Sequence, residues 1–457
     1  MFYVQRGTKE WQDMDVAHHL HPFTDPQYFD TKKPLVITKA EGSHVWDSEG
    51  RKILDGMAGL WCVNVGYGRS ELIEASDRQM RELAYYNTFF QTATPTQIEL
   101  GHVLSGVTPE GLDHFFFANS GSEANDTVVR MVRHFWEVEG QPEKQAIIGR
   151  TLGYHGSTVA ATSLGGMKPM HDLGKSLLPG FEHITHPHWY LNGEDLSRED
   201  YGLKAAQALE EKILELGADT VAAFIGEPIQ GAGGVIDPPA TYWPEIQRIC
   251  RKYDILLVAD EVICGFGRVG HWFASEAYGI EPDLMPMAKG LSSGYLPIAA
   301  VAYNDRVHAT LRKGGVFSHG YTYSGHPVAC AVALANIQLI KDDGLIDRVK
   351  TDIGPYFRAK MDAVLASHPL VGEVRGAGLL AGIQLVKNKE TKELFPTEQA
   401  IATKCRDYCL EHGVIMRAVG QSMAASPPLI ITKPEVDTLV EVAKVSLDLA
   451  AKDVGIL

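Results

Sequence analysis

Four short stretches of the chain set chemistry-bearing side chains at the ends of apolar runs or at a helix start. In Ile255-Leu-Leu-Val-Ala-Asp260-Glu261, five apolar residues precede two acids. Asp260 therefore falls at the carboxyl end of a buried strand, where open α/β sheets bind their ligands. A carboxylate there is costly unless a cation or a helix N-cap role satisfies it. Upstream, VAAFIGEP sets Glu227 at the end of a second such strand, with one helix between the two acids. In Asp283-Leu-Met-Pro-Met-Ala-Lys289-Gly290, a lysine ends a short apolar strand ahead of a Gly-rich loop. Most lysines are solvated surface charges, but one held in an apolar site serves as nucleophile and general base. Finally, Asn119-Ser120-Gly121-Ser122-Glu123 follows the strand FFFA and opens a helix. Ser120 and Glu123 have capping-box spacing. The free N–H groups and positive dipole end of such a turn suit a phosphate, and equally suit a plain capped helix. Together, a phosphate cradle, a buried acid and a strand-end lysine could hold one phosphorylated, lysine-linked cofactor.

These residues need a frame. From about Leu112, strands alternate with helices, with strands expected at His114–Ala118, Ala146–Ile148, Val221–Gly226, Ile255–Ala259 and Leu284–Ala288. Strands that are apolar throughout and separated by helices predict an α/β fold with a mostly parallel sheet covered on both faces. The spacing of Ile246, Ile249, Cys250 and Tyr253 predicts a helix over Tyr242–Tyr253, with Pro244 in its first turn. Residues 1 to about 34 read as irregular, and LVITKAEGSHVWDSEGRKILD reads as short strands joined by turns. Asn192–Asp200 reads as a surface loop and Val328–Ile340 as a buried helix. Beyond about Ala329, helices and the strands VRGAGLLAGIQLV and VIMRAV predict a smaller α+β unit. The expected division is 1–60 (an N-terminal segment joining the small domain), 61–328 (the large domain) and 329–457 (the rest of the small domain).

Composition bounds the partners. Of 457 residues, 42 are Lys or Arg and 57 Asp or Glu, a formal net charge of −15. No clustered basic surface for nucleic acid follows from that balance. Six scattered cysteines without a CxxC fit reduced thiols in a cytoplasmic protein. Cys405 and Cys409, four apart, read as half-buried helix residues and not as a metal clip. MFYVQRGTKEWQDMD has no apolar leader, and no run is long enough to span a bilayer.

On GMAGLWCVNVGYG, NSGSEAN, GYHGST, GEPIQGAGG, VADEVICGFGR, AKGLSSGYLPI and TYSGHP, the chain resembles the class III aminotransferases of fold type I, and within them the ω-amine:pyruvate subfamily. The resemblance runs from HLHPFTD to the last helix. It implies pyridoxal 5'-phosphate as cofactor and no metal. Lys289 matches the Schiff-base lysine that also moves the proton, and Asp260 the acid facing the pyridine nitrogen. Gly121 and Ser122 match the phosphate cradle, and Tyr154, followed by His155, the ring-stacking aromatic. Val262 matches the residue on the opposite ring face, and Glu227 a member of the surrounding network. Thr322 matches a threonine that reaches the neighbouring subunit's phosphate, so the resemblance implies a homodimer with shared sites, or a tetramer built from such dimers.

For the substrate, Phe23, Leu60, Trp61, Phe89, Tyr154 and Ala232 match pocket positions, and Arg417 a mobile arginine that takes the carboxylate of pyruvate or alanine. An aromatic-walled pocket suits an amine without an α-carboxylate, such as putrescine, cadaverine or an aryl-alkyl amine. The implied reaction is ping-pong transfer to pyruvate, giving aldehyde or ketone plus alanine. An ω-amino acid (β-alanine or 4-aminobutyrate) aminotransferase is the alternative, and a decarboxylase or aminomutase shares the fold. A nicotinamide oxidoreductase lacks support, because no strand–GxGxxG–helix unit is present. A non-catalytic relative would be expected to lose Lys289 or Asp260.

Overall fold

Seven strands form the main sheet. In chain order they are β1 His114–Ala118, β2 Ala146–Arg150, β3 Phe181–Ile184, β4 Val221–Gly226, β5 Leu256–Ala259, β6 Leu284–Met287 and β7 Ala299–Tyr303. Across the sheet they run β1-β7-β6-β5-β4-β2-β3. The strands from β2 to β6 pair in parallel, while β7 runs antiparallel to both β6 and β1. The structure is a computed structural model that describes residues 6–175 and 177–457. Residues 1–5 of the opening stretch, where no apolar leader was expected, lie outside it.

Every residue of β4, β5 and β6 is buried. The period-two alternation of a strand sends neighbouring side chains to opposite faces. Ala223, Ile225, Leu256 and Val258 join the core formed with Val128, Met131 and Phe135 of the helix Gly121–Val138. Phe224 and Leu257 join the other, with Ile246, Ile249 and Cys250 of the helix Tyr242–Lys252 and Leu209 of the helix Arg198–Leu216. A sheet packed on both faces leaves only its edges and strand ends for chemistry. The register pairs Gly226 with Ala259, so the residues that follow, Glu227 and Asp260, leave the sheet side by side.

Two four-stranded sheets flank this core. One joins Ile37–Glu41, His44–Asp47 and Lys52–Asp55 to the distant Val414–Ile415. The other is antiparallel, of Val371–Arg375, Ala381–Leu385, Ser422–Ala425 and Arg417–Val419. The chain crosses from one to the other at Met416, which sets Arg417 at the start of an edge strand. The expected helix near Val328–Ile340 runs Pro327–Asp342. Cys405 and Cys409 are both buried on the helix Ile401–Glu411, more deeply than expected.

Several expectations change. β3 and β7 were not anticipated, because FEHI is short and half polar and AAVAY is mostly alanine, which has little strand preference. Residues 1–34 are not wholly irregular: Thr8–His18 is a helix. It has no apolar stripe and buries no residue, and its i,i+4 pairs Arg6–Glu10 and Lys9–Asp13 run along the surface. The loop at Asn192 ends at Ser197, whose side chain caps the helix that begins at Arg198. Among the described residues, no helix is long and apolar enough to cross a membrane.

Candidate active site

The carboxyl ends of β4, β5 and β6 deliver Glu227, Asp260 and Lys289 to one cavity. Gly121, Ser122 and Asn125, from the helix after β1, and Tyr154, His155 and Gly156, from the loop after β2, line it too, together with Val262. Asp260 is 3% exposed and fully engaged. One oxygen accepts the Val262 N–H at 3.1 Å; the other lies 2.7 Å from His155 Nδ1 and accepts from Asn125 Nδ2 at 2.9 Å. The same Asn125 amide donates to the His155 carbonyl at 2.8 Å, fixing the histidine beside the acid. Glu227 accepts the N–H of Tyr154 at 3.1 Å and of Gly231 at 2.9 Å. Burial pushes its carboxyl pKa up and the neighbouring Asp260 adds to that, against the pull of His155.

Lys289 adopts a left-handed backbone, φ 48°, which a side chain with a Cβ occupies only under constraint. The constraint is visible one residue on, where a Cβ on Gly290 would stand 2.6 Å from Asn64 Nδ2. Among the described residues, Lys289 Nζ has no hydrogen-bond or ion-pair partner, unlike most cations of the surface.

The helix start is capped, though not as a reciprocal box. Ser120 Oγ accepts the Glu123 N–H, but the Glu123 carboxylate turns to the backbone and side-chain amides of Asn119. Asn119 thus takes up the acid of the first turn, and the Gly121 and Ser122 N–H groups keep no acceptor among the described residues. A Cβ on Gly121 would meet Val262 at 3.1 Å, and one on Gly156 would meet Ser122 Oγ at 2.5 Å. Both glycines keep this cradle open.

The expected substrate residues divide into two groups. Trp61 and Ala232 are buried in one apolar cluster, against which Tyr154 packs. The Phe23 ring lies 6.3 Å from that of Tyr154, and exposed Leu60 precedes Trp61. The Arg417 guanidinium sits 4.8 Å from the centre of the Trp61 ring. Burial lowers its pKa, and no carboxylate among the described residues pairs with it. Phe89 and Thr322 are elsewhere. Phe89 packs on Gly320, and the Thr322 carbonyl accepts the Tyr85 hydroxyl on an exposed turn. Sequence reasoning missed Asn125, although it lies one helical turn past Gly121 within NSGSEAN, a spacing that aims it at the same cavity.

Residues 28–446 match the family Aminotransferase class-III. The chain belongs to the class III aminotransferases. It is 56% identical to the putrescine--pyruvate aminotransferase of Pseudomonas aeruginosa over 97% of each chain. It is 43% identical to the chloroplastic gamma aminobutyrate transaminase 3 of Solanum lycopersicum over 92% of this chain and 82% of that one. Among solved structures, a thermostable (S)-enantioselective ω-transaminase from Thermomicrobium roseum superposes with a TM-score of 0.95 at 42% identity, covering 98% and 100% of the two chains. The ω-transaminase from Pseudomonas jessenii in complex with PMP gives 0.95 at 42%, over 97% and 99%. The fold of this aminotransferase is therefore the fold-type I one that the resemblance implied, and the nicotinamide alternative is removed.

Class III aminotransferases depend on pyridoxal 5'-phosphate, and so does this one. The cavity fits the group. It offers free helix N–H groups for a phosphate and a buried carboxylate for a protonated ring nitrogen. Asn125 Oδ1, buried and without a hydrogen-bond partner among the described residues, is an acceptor left over in the same place.

Proposed function

We propose that this aminotransferase moves the amino group of an amine lacking an α-carboxylate to pyruvate, with putrescine, cadaverine or an aryl-alkyl amine as donor and alanine plus an aldehyde or ketone as products. The observation that carries this reading is the placement of Arg417. It is the cation beside the apolar Trp61–Ala232–Tyr154 wall, and it rests on a π face instead of on a carboxylate. A guanidinium held that weakly is available for a keto acid's carboxylate through a bidentate pair. When no carboxylate enters, the wall is left for an apolar donor. The likeness to a protein named for putrescine and pyruvate supports the same substrates.

When bound, pyridoxal phosphate supplies the electron sink and carries the nitrogen between the two half-reactions. The chain's own residues do the rest. Lys289 would hold the cofactor, and its Nζ, without a competing partner among the described residues, would take and return the reaction's proton. Asp260, oriented by His155, Asn125 and the Val262 N–H, would face the ring nitrogen and hold its proton. Gly121 and Ser122 would bind the phosphate, Tyr154 and Val262 would hold the ring, and Glu227 braces the Tyr154 loop. Exposed Thr322 and half-buried Phe89 serve the site of a second copy in a homodimer, and the protein acts in the cytoplasm. Exposed Phe90, Tyr86 and Tyr323 near those two residues supply apolar area for such a contact.

A half-reaction spectrum tests the reading. Putrescine or 1-phenylethylamine, added to cofactor-loaded protein without acceptor, is expected to bleach the visible cofactor band. Pyruvate is then expected to restore it with release of alanine. Bleaching by β-alanine or 4-aminobutyrate but by neither amine would replace the donor class. A bleached band that pyruvate leaves unchanged would remove the acceptor.

A further inference from the structure

Outside the cofactor cavity, the first helix and the turn after it gather Asp15, His19 and His21. Asp15 and His19 are one helical turn apart and share a face. His19 Nδ1 lies 3.1 Å from Asp15 Oδ1. The chain then doubles back, so that His21 Nε2 comes within 2.5 Å of Asp15 Oδ2. One donor atom from each residue falls within 4.8 Å of the other two. In a tetrahedral shell with bonds of about 2.1 Å, ligand atoms stand about 3.4 Å apart. The contacts within the trio, 2.5 and 3.1 Å to Asp15 and none beyond 4.8 Å, bracket that spacing, so an ion would replace the two hydrogen bonds with small side-chain shifts. Phe29 packs on the His21 ring at 4.6 Å between centroids, which fixes the direction of that ligand. Asp15 and His21 are half-buried and His19 is exposed, leaving one open side for water.

Two imidazoles and one carboxylate suit a borderline divalent ion. Calcium and magnesium ask for oxygen-only shells. The place of the trio gives such an ion a task. The helix Thr8–His18 buries none of its residues, so apolar packing holds it weakly. Two residues beyond His21 comes Phe23, whose ring faces Tyr154. We propose that Asp15, His19 and His21 form a divalent transition-metal site of the zinc class, which pins the N-terminal segment and so fixes Phe23 beside the cavity. The consequence for substrate rests on Phe23 being a pocket wall, as in the function proposed above; metal uptake does not, so the two fail separately.

The experiment uses tag-free, full-length, cofactor-loaded protein and zinc ions in competition with a chromophoric chelator. Wild type is expected to hold zinc at one site that His21→Ala and Asp15→Asn each weaken by about a hundredfold or more. Both variants should keep the visible cofactor spectrum, which reports an intact fold. Equal zinc uptake by wild type and both variants overturns the site. Trypsin cleavage after exposed Lys9 supplies the second readout. Zinc is expected to slow it several-fold in wild type and not in His21→Ala; cleavage indifferent to zinc in wild type overturns the pinning.

Discussion

The carboxyl edge of the main sheet and the aromatic periphery around it are held in opposite ways. At the edge, Asp260, Glu227 and His155 are at most 3% exposed, and both acids carry more than one hydrogen bond. At the periphery, Phe23 is 75% and Leu60 52% exposed, and the helix leading to Phe23 has no buried residue. Core packing fixes the parts that every pyridoxal-phosphate reaction needs. On the function proposed above, Phe23 and Leu60 would bear on the choice among amines from segments that the core barely grips and that can change without unfolding the rest. Substitution of the hydrogen-bonded acids at the edge should therefore strike turnover and stability, that of the unpaired Lys289 turnover alone, whereas changes at the periphery should separate one substrate from another.

The harshest test of that contrast is Lys289→Ala. Turnover should vanish while the melting temperature stays near that of wild type, because the amine bonds nothing among the described residues. Retained transamination would remove the proposed role of the residue. Asp260→Ala should act differently, since it strands His155 Nδ1 and the Val262 N–H in a buried place. Unsatisfied groups of that kind cost about 1–3 kcal/mol each, so cofactor-free protein should lose stability as well as activity in urea titrations. An unaltered urea midpoint would mean that the edge is not held by this network.

At the periphery, Arg417→Ala should divide the two half-reactions. A charge-assisted pair to a carboxylate is worth about 1.5–3 kcal/mol, or about 10- to 150-fold in rate or affinity. The loss should fall on pyruvate and spare 1-phenylethylamine, in single-turnover spectra of each half-reaction. Equal losses in both would reduce the arginine to a structural stacking partner of Trp61 and break the contrast on its outer side.

Much of the edge could be read from the sequence, and little of the periphery. Val221–Gly226 is the observed strand residue for residue, because an apolar run closed by Glu-Pro leaves the chain few options. Asp260, Glu227 and Lys289 could be seen for the same reason: each is a charged residue that ends such a run. The stacking of Arg417 on Trp61 was not legible, since nothing local in VIMRAV reports a ring from the far end of the chain. The helix Thr8–His18 escaped because a helix that buries nothing writes no apolar period. Asn125 was hidden differently, by a helix whose neighbouring residues already accounted for its spacing.

The acid beside Asp260 sharpens the inner side of the comparison through the pH dependence of stability. Glu261, beside Asp260, is buried and caps the short helix Ala274–Tyr278 by accepting from the N–H groups of Ala274 and Ser275 and from the Ser275 hydroxyl. Burial outweighs those bonds and raises its pKa from 4.5 to about 7. The folded chain then holds a proton that the unfolded chain has released. Stability from this group is full below pH 4.5 and is lost as pH rises toward 7, with a slope of at most about 1.4 kcal/mol per pH unit. Exposed acids behave in the reverse sense: Asp77, held below its usual range by Arg81, favours the fold at higher pH and loses that contribution as pH falls. Melting curves of cofactor-free protein between about pH 5 and 7 should therefore flatten in Glu261→Gln, which cannot titrate, while Asp77→Asn leaves that window unchanged. A wild-type slope that survives Glu261→Gln would move the buried proton to Glu227, whose carboxyl is raised by the same burial at the same sheet edge.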